Sequence, residues 1–235
     1  MVLWFIWKAR NGTIFRAKPP DPNTIVDLAQ ANLQNFRRWH NTNEAKNPTD
    51  LYLPRRWRPP DRGTLKLNVD GSWVPGEPVG SVAGILRNHA GQVVDGFISD
   101  TRASSAMQIE TLAILKGLEF MHLRKLSHME GAGTELVEAE KVLCESDCLT
   151  AVQSLMGWAK HPWNVQTILS QCNKILAQSS VMQVVYCPRE ANSAANWIAK
   201  GNRTKALPQN WMSNPPPILS EILCSEFYLS SSCTS

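Results

Sequence analysis

Three carboxylates stand at positions from which they can act as a group. Asp70 closes an alternating run, Thr64-Leu65-Lys66-Leu67-Asn68-Val69-Asp70, and Gly71 follows it. Glu110 falls early in a long apolar-striped segment. Ile114 and Leu118, four and eight positions on, share its helical face, where a surface carboxylate has no reason to be. Asp147 follows the run Val142 to Ser146 and precedes another helical segment. Singly, each has a plain structural explanation: a turn-forming Asp-Gly, a favourable charge near a helix N-terminus, a helix N-cap. Together they are two strand-end acids and one helix-face acid, which parallel strands with helical crossovers can bring to one place. Clustered carboxylates repel, and burying them is costly unless cations neutralise them. An all-oxygen donor set suits Mg²⁺ or Mn²⁺. Two such ions can activate a water and stabilise the leaving oxygen of a phosphodiester.

The elements that must position these acids lie in residues 64–200. Thr64 to Asp70 reads as a strand, Gly80 to Asn88 as a second and Gln92 to Ser99 as a third. The turn His89-Ala90-Gly91 makes a hairpin of the last two. Ser104-Ser105 supplies cap residues for a helix over 106–123, with Leu112, Leu115, Leu118 and Met121 on its stripe. A strand over Val142 to Ser146 follows, then helices over Cys148 to Met156 and Val165 to Gln178. A strand over Val181 to Tyr186 and a helix over Glu190 to Lys200 complete the pattern. The order β-β-β-α-β-α-α-β-α predicts a hairpin-led sheet flanked by helices.

Composition excludes several other classes. The 235 residues are 43% apolar and 19% charged, as a globular chain is and a disordered one is not. The longest apolar run, Met1 to Trp7, is far short of the roughly 20 residues of a membrane span. It also lacks the basic lead and small-residue cleavage site of a secretory signal. An intracellular protein, nuclear or cytoplasmic, with mostly free thiols is expected. Cys144, Cys148, Cys172, Cys187, Cys224 and Cys233 include no Cys-x-x-Cys pair, and no histidine pair has zinc-ligand spacing. Phosphate-loop and dinucleotide glycine patterns are absent.

Charge is uneven. Residues 1–63 hold 11 Lys/Arg against 5 Asp/Glu, and the rest 13 against 15. Arg37, Arg38, Arg55, Arg56, Arg58 and Arg62, interleaved with Trp39 and Trp57, read either as a phosphate-binding arm or as a solvated linker. Two helical segments are expected within residues 1–40, the second starting near Asp21-Pro22-Asn23-Thr24 with Asn23 as cap. A basic Pro-rich linker over 41–63, the main domain over 64–200 and a tail over 201–235 follow. The tail holds a short helix over Ile218 to Leu223 and a Ser-rich end expected to lack order.

Five blocks carry a family resemblance: Leu65-Lys66-Leu67-Asn68-Val69-Asp70-Gly71-Ser72; Ala83-Gly84-Ile85-Leu86-Arg87-Asn88; Ile109-Glu110-Thr111-Leu112-Ala113; Glu145-Ser146-Asp147; and Arg189-Glu190-Ala191-Asn192 with Ala195-Asn196-Trp197-Ile198-Ala199. Their order resembles ribonuclease H type 1 domains, and more narrowly the plant ribonuclease H-like domain associated with non-LTR retrotransposon reverse transcriptases. Trp4 to Asn11, and Trp211 with Pro215-Pro216, resemble the segments that flank that domain. The resemblance implies an α/β, ribonuclease H-like three-layer fold with a mixed five-stranded sheet flanked by helices. It implies two-metal hydrolysis, with Mg²⁺ or alternatively Mn²⁺, of the RNA strand of an RNA–DNA hybrid, leaving 3′-hydroxyl and 5′-phosphate ends. Neither membrane nor protein partner is implied.

Carried over residue by residue, Asp70, Glu110 and Asp147 match three of the family's four metal-binding acids. Asn196 stands at the fourth, where the family has Asp. Gly71, Ser72, Asn192 and Tyr186 are the residues expected on the substrate side, and of these Asn192 matches the family's residue. Tyr186 replaces the family's His, and a phenol titrating near 10 is a poor proton shuttle at neutral pH. Asn192 and Asn196 share a helical face. Residues 129–140, acidic through Glu130, Glu135, Glu138 and Glu140, exceed the family's usual length and read as a surface insertion. Three readings follow: a hybrid nuclease of reduced activity, a catalytically inactive nucleic-acid-binding module of retroelement origin, and a decaying fragment.

Overall fold

The computed structural model describes residues 56–128 and 141–231, together with Thr13, Asp21 to Asn23 and Val26. The chain divides into two units, residues 1–51 and 52–235. In the first, the Asn23 amide donates to Asp21 Oδ1 at 3.0 Å, so Asp21 and not Asn23 caps, with Pro22 next in line where a helix tolerates it. The remainder of the two expected N-terminal helical segments, most of the expected linker, the 129–140 insertion and residues 232–235 lie outside the described residues.

The second unit is built on a five-stranded sheet in the order β3-β2-β1-β4-β5, comprising β1 (Thr64–Ser72), β2 (Val79–Arg87), β3 (Val93–Arg102), β4 (Lys141–Ser146) and β5 (Met182–Tyr186). β1 pairs antiparallel with β2 and β2 with β3; β1 pairs parallel with β4 and β4 with β5. The turn between β2 and β3 is held by Asn88, whose Oδ1 accepts the amides of Ala90 and Gln92, each at 3.0 Å, and Gly91 supplies the positive φ of 73°. β2 is buried from Gly80 to Arg87, as a strand covered on both faces must be.

Helices cover both faces. On one side α1 (Ala106–His128), α2 (Leu149–Leu155) and α3 (Trp163–Ala177) pack Ile109, Ala113, Ile114, Leu118, Val152, Val165 and Leu169 onto Leu65, Leu67, Val69, Val82 and Leu86. On the other, α4 (Ser193–Arg203) sets Ala194, Ala195, Ile198 and Ala199 against Ala83 and Ile85, and Trp211 and Leu219 close the cluster. A 3₁₀ turn, Arg189–Asn192, leads into α4, and α5 (Pro217–Ser231) packs on it. Each fully buried Leu, Ile or Val contributes about 1.5–3 kcal/mol, so the two apolar layers hold the sheet between them. At the start of α1, Ser105 Oγ accepts the Gln108 amide at 3.2 Å and Gln108 Oε1 accepts the Ser104 amide at 2.7 Å, a reciprocal cap. The expected Ser104-Ser105 start is where α1 begins.

Side chains outside residues 64–200 also pack on this unit. Trp57 is 2% exposed and Trp211 likewise, and Glu226 on α5 is 5% exposed. Trp57 is therefore no free aromatic for stacking on bases, whereas Arg56, Arg58 and Arg62 are exposed. Among the described residues no helix is long and apolar enough to cross a membrane. Cys144, Cys148, Cys172, Cys187 and Cys224 are free thiols.

Candidate active site

β1 has one polar and one apolar face. Leu65, Leu67 and Val69 point into the α1 layer, while Lys66, Asn68 and Asp70 face the other way, toward the turn that precedes α4. The parallel register ends with Val69 opposite Ser146, so the next residues, Asp70 and Asp147, stand side by side just past the last β1–β4 pair. β4 stops there, whereas β1 runs on through Gly71 and Ser72 against β2, so Asp70 does not close its strand. Asp147 is not a helix cap. The cap position of α2 belongs to Cys148, which makes no side-chain cap bond.

Glu110 reaches the same place because Gly71 lets α1 approach. A Cβ on Gly71 would lie 2.8 Å from the backbone carbon and oxygen of Ile109, so only a residue without one permits this contact. The Gly71 amide then donates to the Glu110 carboxylate. Glu110 lies beyond the first turn of α1, so its position is not explained by the helix dipole. One carboxylate oxygen from each of Asp70, Glu110 and Asp147 lies within 4.8 Å of the others.

The electrostatics follow from that crowding. Burial first, then the neighbouring Glu110 and Asp147, push the Asp70 carboxyl up to about 9. Burial and Asp147 push Glu110 up to about 8, opposed by the Gly71 amide. Arg189, exposed on the 3₁₀ turn, draws both back toward the ionised form. Glu110 Oε2 is buried without a hydrogen-bond partner. An orphaned carboxylate oxygen beside two more acids is the donor arrangement a hard divalent cation completes, so the three residues fit Mg²⁺ or Mn²⁺.

Asn192 holds the acids from behind. Its Nδ2 donates to Val69 O at 3.0 Å, to Asp147 Oδ1 at 3.2 Å and, more weakly, to Asp70 Oδ1 at 3.4 Å. Asn196 stands one turn further along α4 and is half-buried. Tyr186 ends β5 opposite Ser146. Burial, with the negative charges of Asp147 and Glu190 beside it, raises its phenol above the ordinary value, so it stays protonated at neutral pH. Ser72, two residues beyond Asp70 on the same face of β1, accepts at its Oγ from Arg203 Nε at 3.0 Å, tying β1 to the end of α4. An open groove of about 560 Å³, lined by Trp73, Glu77, Arg102, Ser104 and Gln108 among others, includes none of the three acids.

Two contributors escape a reading of residue types. Arg189 is one of many arginines and only its place on the turn brings it to the acids. Asn68 does carry a signal: it is a poor strand residue lying between two polar residues on one face of a strand that is otherwise apolar.

Residues 68–202, more than half of the chain, match the family described as reverse transcriptase-like. No curated protein matches the chain. Among solved structures, LC11-RNase H1, isolated from compost by a metagenomic approach, is similar at a TM-score of 0.51 and 17% identity, over 62% of this chain and 99% of its own. RNase H1 from the halophilic archaeon Halobacterium salinarum gives 0.49 and 16% over 61% of this chain and 99% of its own. LC11-RNase H1 in complex with an RNA/DNA hybrid gives 0.48 and 16% over 61% and 99%. The likeness to the first establishes the ribonuclease H-like fold, with its mixed five-stranded sheet between helices.

Proposed function

The chain belongs to the reverse transcriptase-like family, and from that premise we propose that it is a metal-dependent nuclease hydrolysing the RNA strand of RNA–DNA hybrids. The observation that carries the reading is the convergence of Asp70, Glu110 and Asp147 within 4.8 Å where the parallel pairing of β1 and β4 stops. Three clustered acids, one buried and two half-buried, repel and are destabilising by themselves, and a site for cations gives them a purpose.

Asp70, Glu110 and Asp147 would hold Mg²⁺ or Mn²⁺. When bound, a pair of such ions supplies a water made nucleophilic at neutral pH and offsets charge on the leaving oxygen. Asn192 keeps two of the acids in place through its N–H groups. Arg189, exposed beside the acids, offers a cation to a backbone phosphate. Recognition of the hybrid would rest on RNA 2′-hydroxyls and backbone shape, since the A-like groove hides sequence. The products would be 3′-hydroxyl and 5′-phosphate ends.

Two positions support reduced turnover. Asn196 contributes a neutral oxygen where the resembling domains have a charged one, weakening the hold on a second ion. Tyr186 keeps its proton, so it neither accepts nor relays one readily at neutral pH. The same two residues favour the second reading, a nucleic-acid-binding module that no longer cleaves. The family's description agrees with a retroelement origin, which we adopt with the function.

A labelled RNA–DNA hybrid incubated with the full chain and Mg²⁺ or Mn²⁺ decides between the readings. Slow, metal-dependent cleavage of the RNA strand, lost in Asp70→Asn, is expected. No cleavage by the wild type, and none gained by Asn196→Asp with Tyr186→His, would leave the binding module standing.

A further inference from the structure

Behind the acids runs a chain of buried polar groups whose directions are fixed. It begins at Arg87, 1% exposed at the end of β2. One terminal guanidinium nitrogen donates to Glu226 on α5, the other terminal nitrogen donates to Asn68 Oδ1 at 2.9 Å, and the centre of the Trp57 ring lies 3.5 Å from the guanidinium carbon. Arginine has donors only. Asn68 must therefore turn its oxygen toward Arg87 and its nitrogen away. That nitrogen donates to Glu145 Oε2 at 2.9 Å and to Asn192 Oδ1 at 3.2 Å. Glu145, itself paired with Lys66 at 3.1 Å, is an acceptor when ionised, so both neighbours of Asn68 demand the same orientation. With its oxygen so engaged, Asn192 has only its N–H groups left to face Val69 O, Asp70 and Asp147. Asn68 and Asn192 are fully buried, so no solvent screens or replaces these bonds.

We propose that Arg87 and Asn68 are positioning residues for the acid site: the arginine fixes the polarity of the Asn68 amide, which fixes that of Asn192, so that Asp70 and Asp147 always meet a donor and never a carbonyl oxygen. The proposal rests on the reading of those acids as a cation site. A reversed Asn192 amide would set a third oxygen dipole against two carboxylates and move them. Groups behind metal ligands typically change affinity by about 10–100-fold when replaced. Glu226 makes α5 part of the device, since it balances the charge that starts the relay.

The test uses the full-length chain with Asn68→Asp, Asn192→Ala and the double variant. Asn68→Asp keeps the oxygen that faces Arg87 but presents an acceptor to Asn192. In metal-free protein, the Asn192 side-chain amide resonances should move as that amide reverses. Mn²⁺ affinity, measured calorimetrically, should fall about 10–100-fold in each single variant and no further in the double. If Asn68→Asp does not fold, Asn68→Ala enters the same cycle. Unmoved Asn192 resonances, or losses that add in the double variant, overturn the relay and leave Asn68 as sheet packing. If the wild type binds no Mn²⁺, the cation-site reading falls, and the metal-free resonances alone decide the relay.

Discussion

Replacing Gly71 by alanine tests whether helix approach builds the site. The new Cβ would meet the Ile109 backbone carbon and oxygen at 2.8 Å, and ordinary contact begins at 3.4 Å, so α1 must retreat from β1 by about 0.6 Å. Backbone atoms give way poorly, and overpacking of this kind costs about 1–3 kcal/mol. For a unit of this size each kcal/mol lowers the melting temperature by about 2–4 °C. The retreat also carries Glu110 away from Asp70 and weakens its bond from the Gly71 amide. A misplacement approaching 1 Å can cost about 100-fold in rate. Gly201→Ala is the control: its Cβ would meet Leu207 at 3.4 Å, within α4, where alanine is favoured over glycine by up to about 1 kcal/mol. Thermal melts, Mn²⁺ calorimetry and hybrid cleavage should show Gly71→Ala impaired in all three and Gly201→Ala unchanged or more stable. A Gly71→Ala protein that melts and binds Mn²⁺ like the wild type would refute the argument that close approach assembles the acids.

Metal-free protein should lose stability as pH rises. Asp70 and Glu110 titrate at about 9 and 8 in the fold against about 4 in the unfolded chain, so the folded state holds more protons between those limits and its advantage disappears on passing through the folded values. Melting temperatures taken from about pH 5 to 9 should fall, Mg²⁺ should flatten the slope, and Asp70→Asn should melt above the wild type near pH 8 without metal; a level metal-free profile would contradict this. Asn196→Asp should tighten Mn²⁺ binding and raise turnover, whereas Tyr186→His should raise turnover alone, both with nearly unchanged melting temperatures. Glu226→Ala leaves the Arg87 charge buried and unpaired, which costs about 3–5 kcal/mol by chemical denaturation. Arg87→Met combined with Glu226→Leu should cost less than either single change, because burial already works against both ionised groups.

The strands and helices of residues 64–200 were legible because their periodicities differ and because Gly, Ser and Asn punctuate them. The order β-β-β-α-β-α-α-β-α is the order found, and the closeness of Asp70 and Asp147 follows from it once β1 and β4 are parallel neighbours, although β1 runs two residues past the Asp70 end that its alternation predicts. What periodicity could not reveal was the long-range packing. Trp57 and Glu226 come from opposite ends of the unit and meet only at Arg87, a pairing set by tertiary contact across 139 positions in the second case. Nor could residue type distinguish the functions of Gly71 and Ser72. Gly71 acts by having no side chain, and Ser72 spends its hydroxyl on Arg203. The Asn192 and Asn196 spacing was visible, but the direction of the Asn192 amide depends on Asn68 and Arg87, residues 124 and 105 positions earlier.

The two faces of β1 explain how one strand serves both folding and chemistry. Leu65, Leu67 and Val69 place the strand in the larger apolar layer, where burial alone supplies stability. The opposite face cannot be apolar throughout, because Asp70 stands on it. Lys66 and Asn68 continue the polar row, and each buried polar atom then requires a partner. α4 can approach because its inward residues are mostly alanine, and the turn before it delivers Asn192 to the acids. The row of partners ends at Arg87, a full charge that needs Glu226 and the Trp57 ring to be buried at all. Segments flanking the repeating strand-and-helix pattern are thus required by the acids at its centre. A site built from one carboxylate on a central strand propagates a demand for counter-groups through the polar layer until elements outside the sheet supply them.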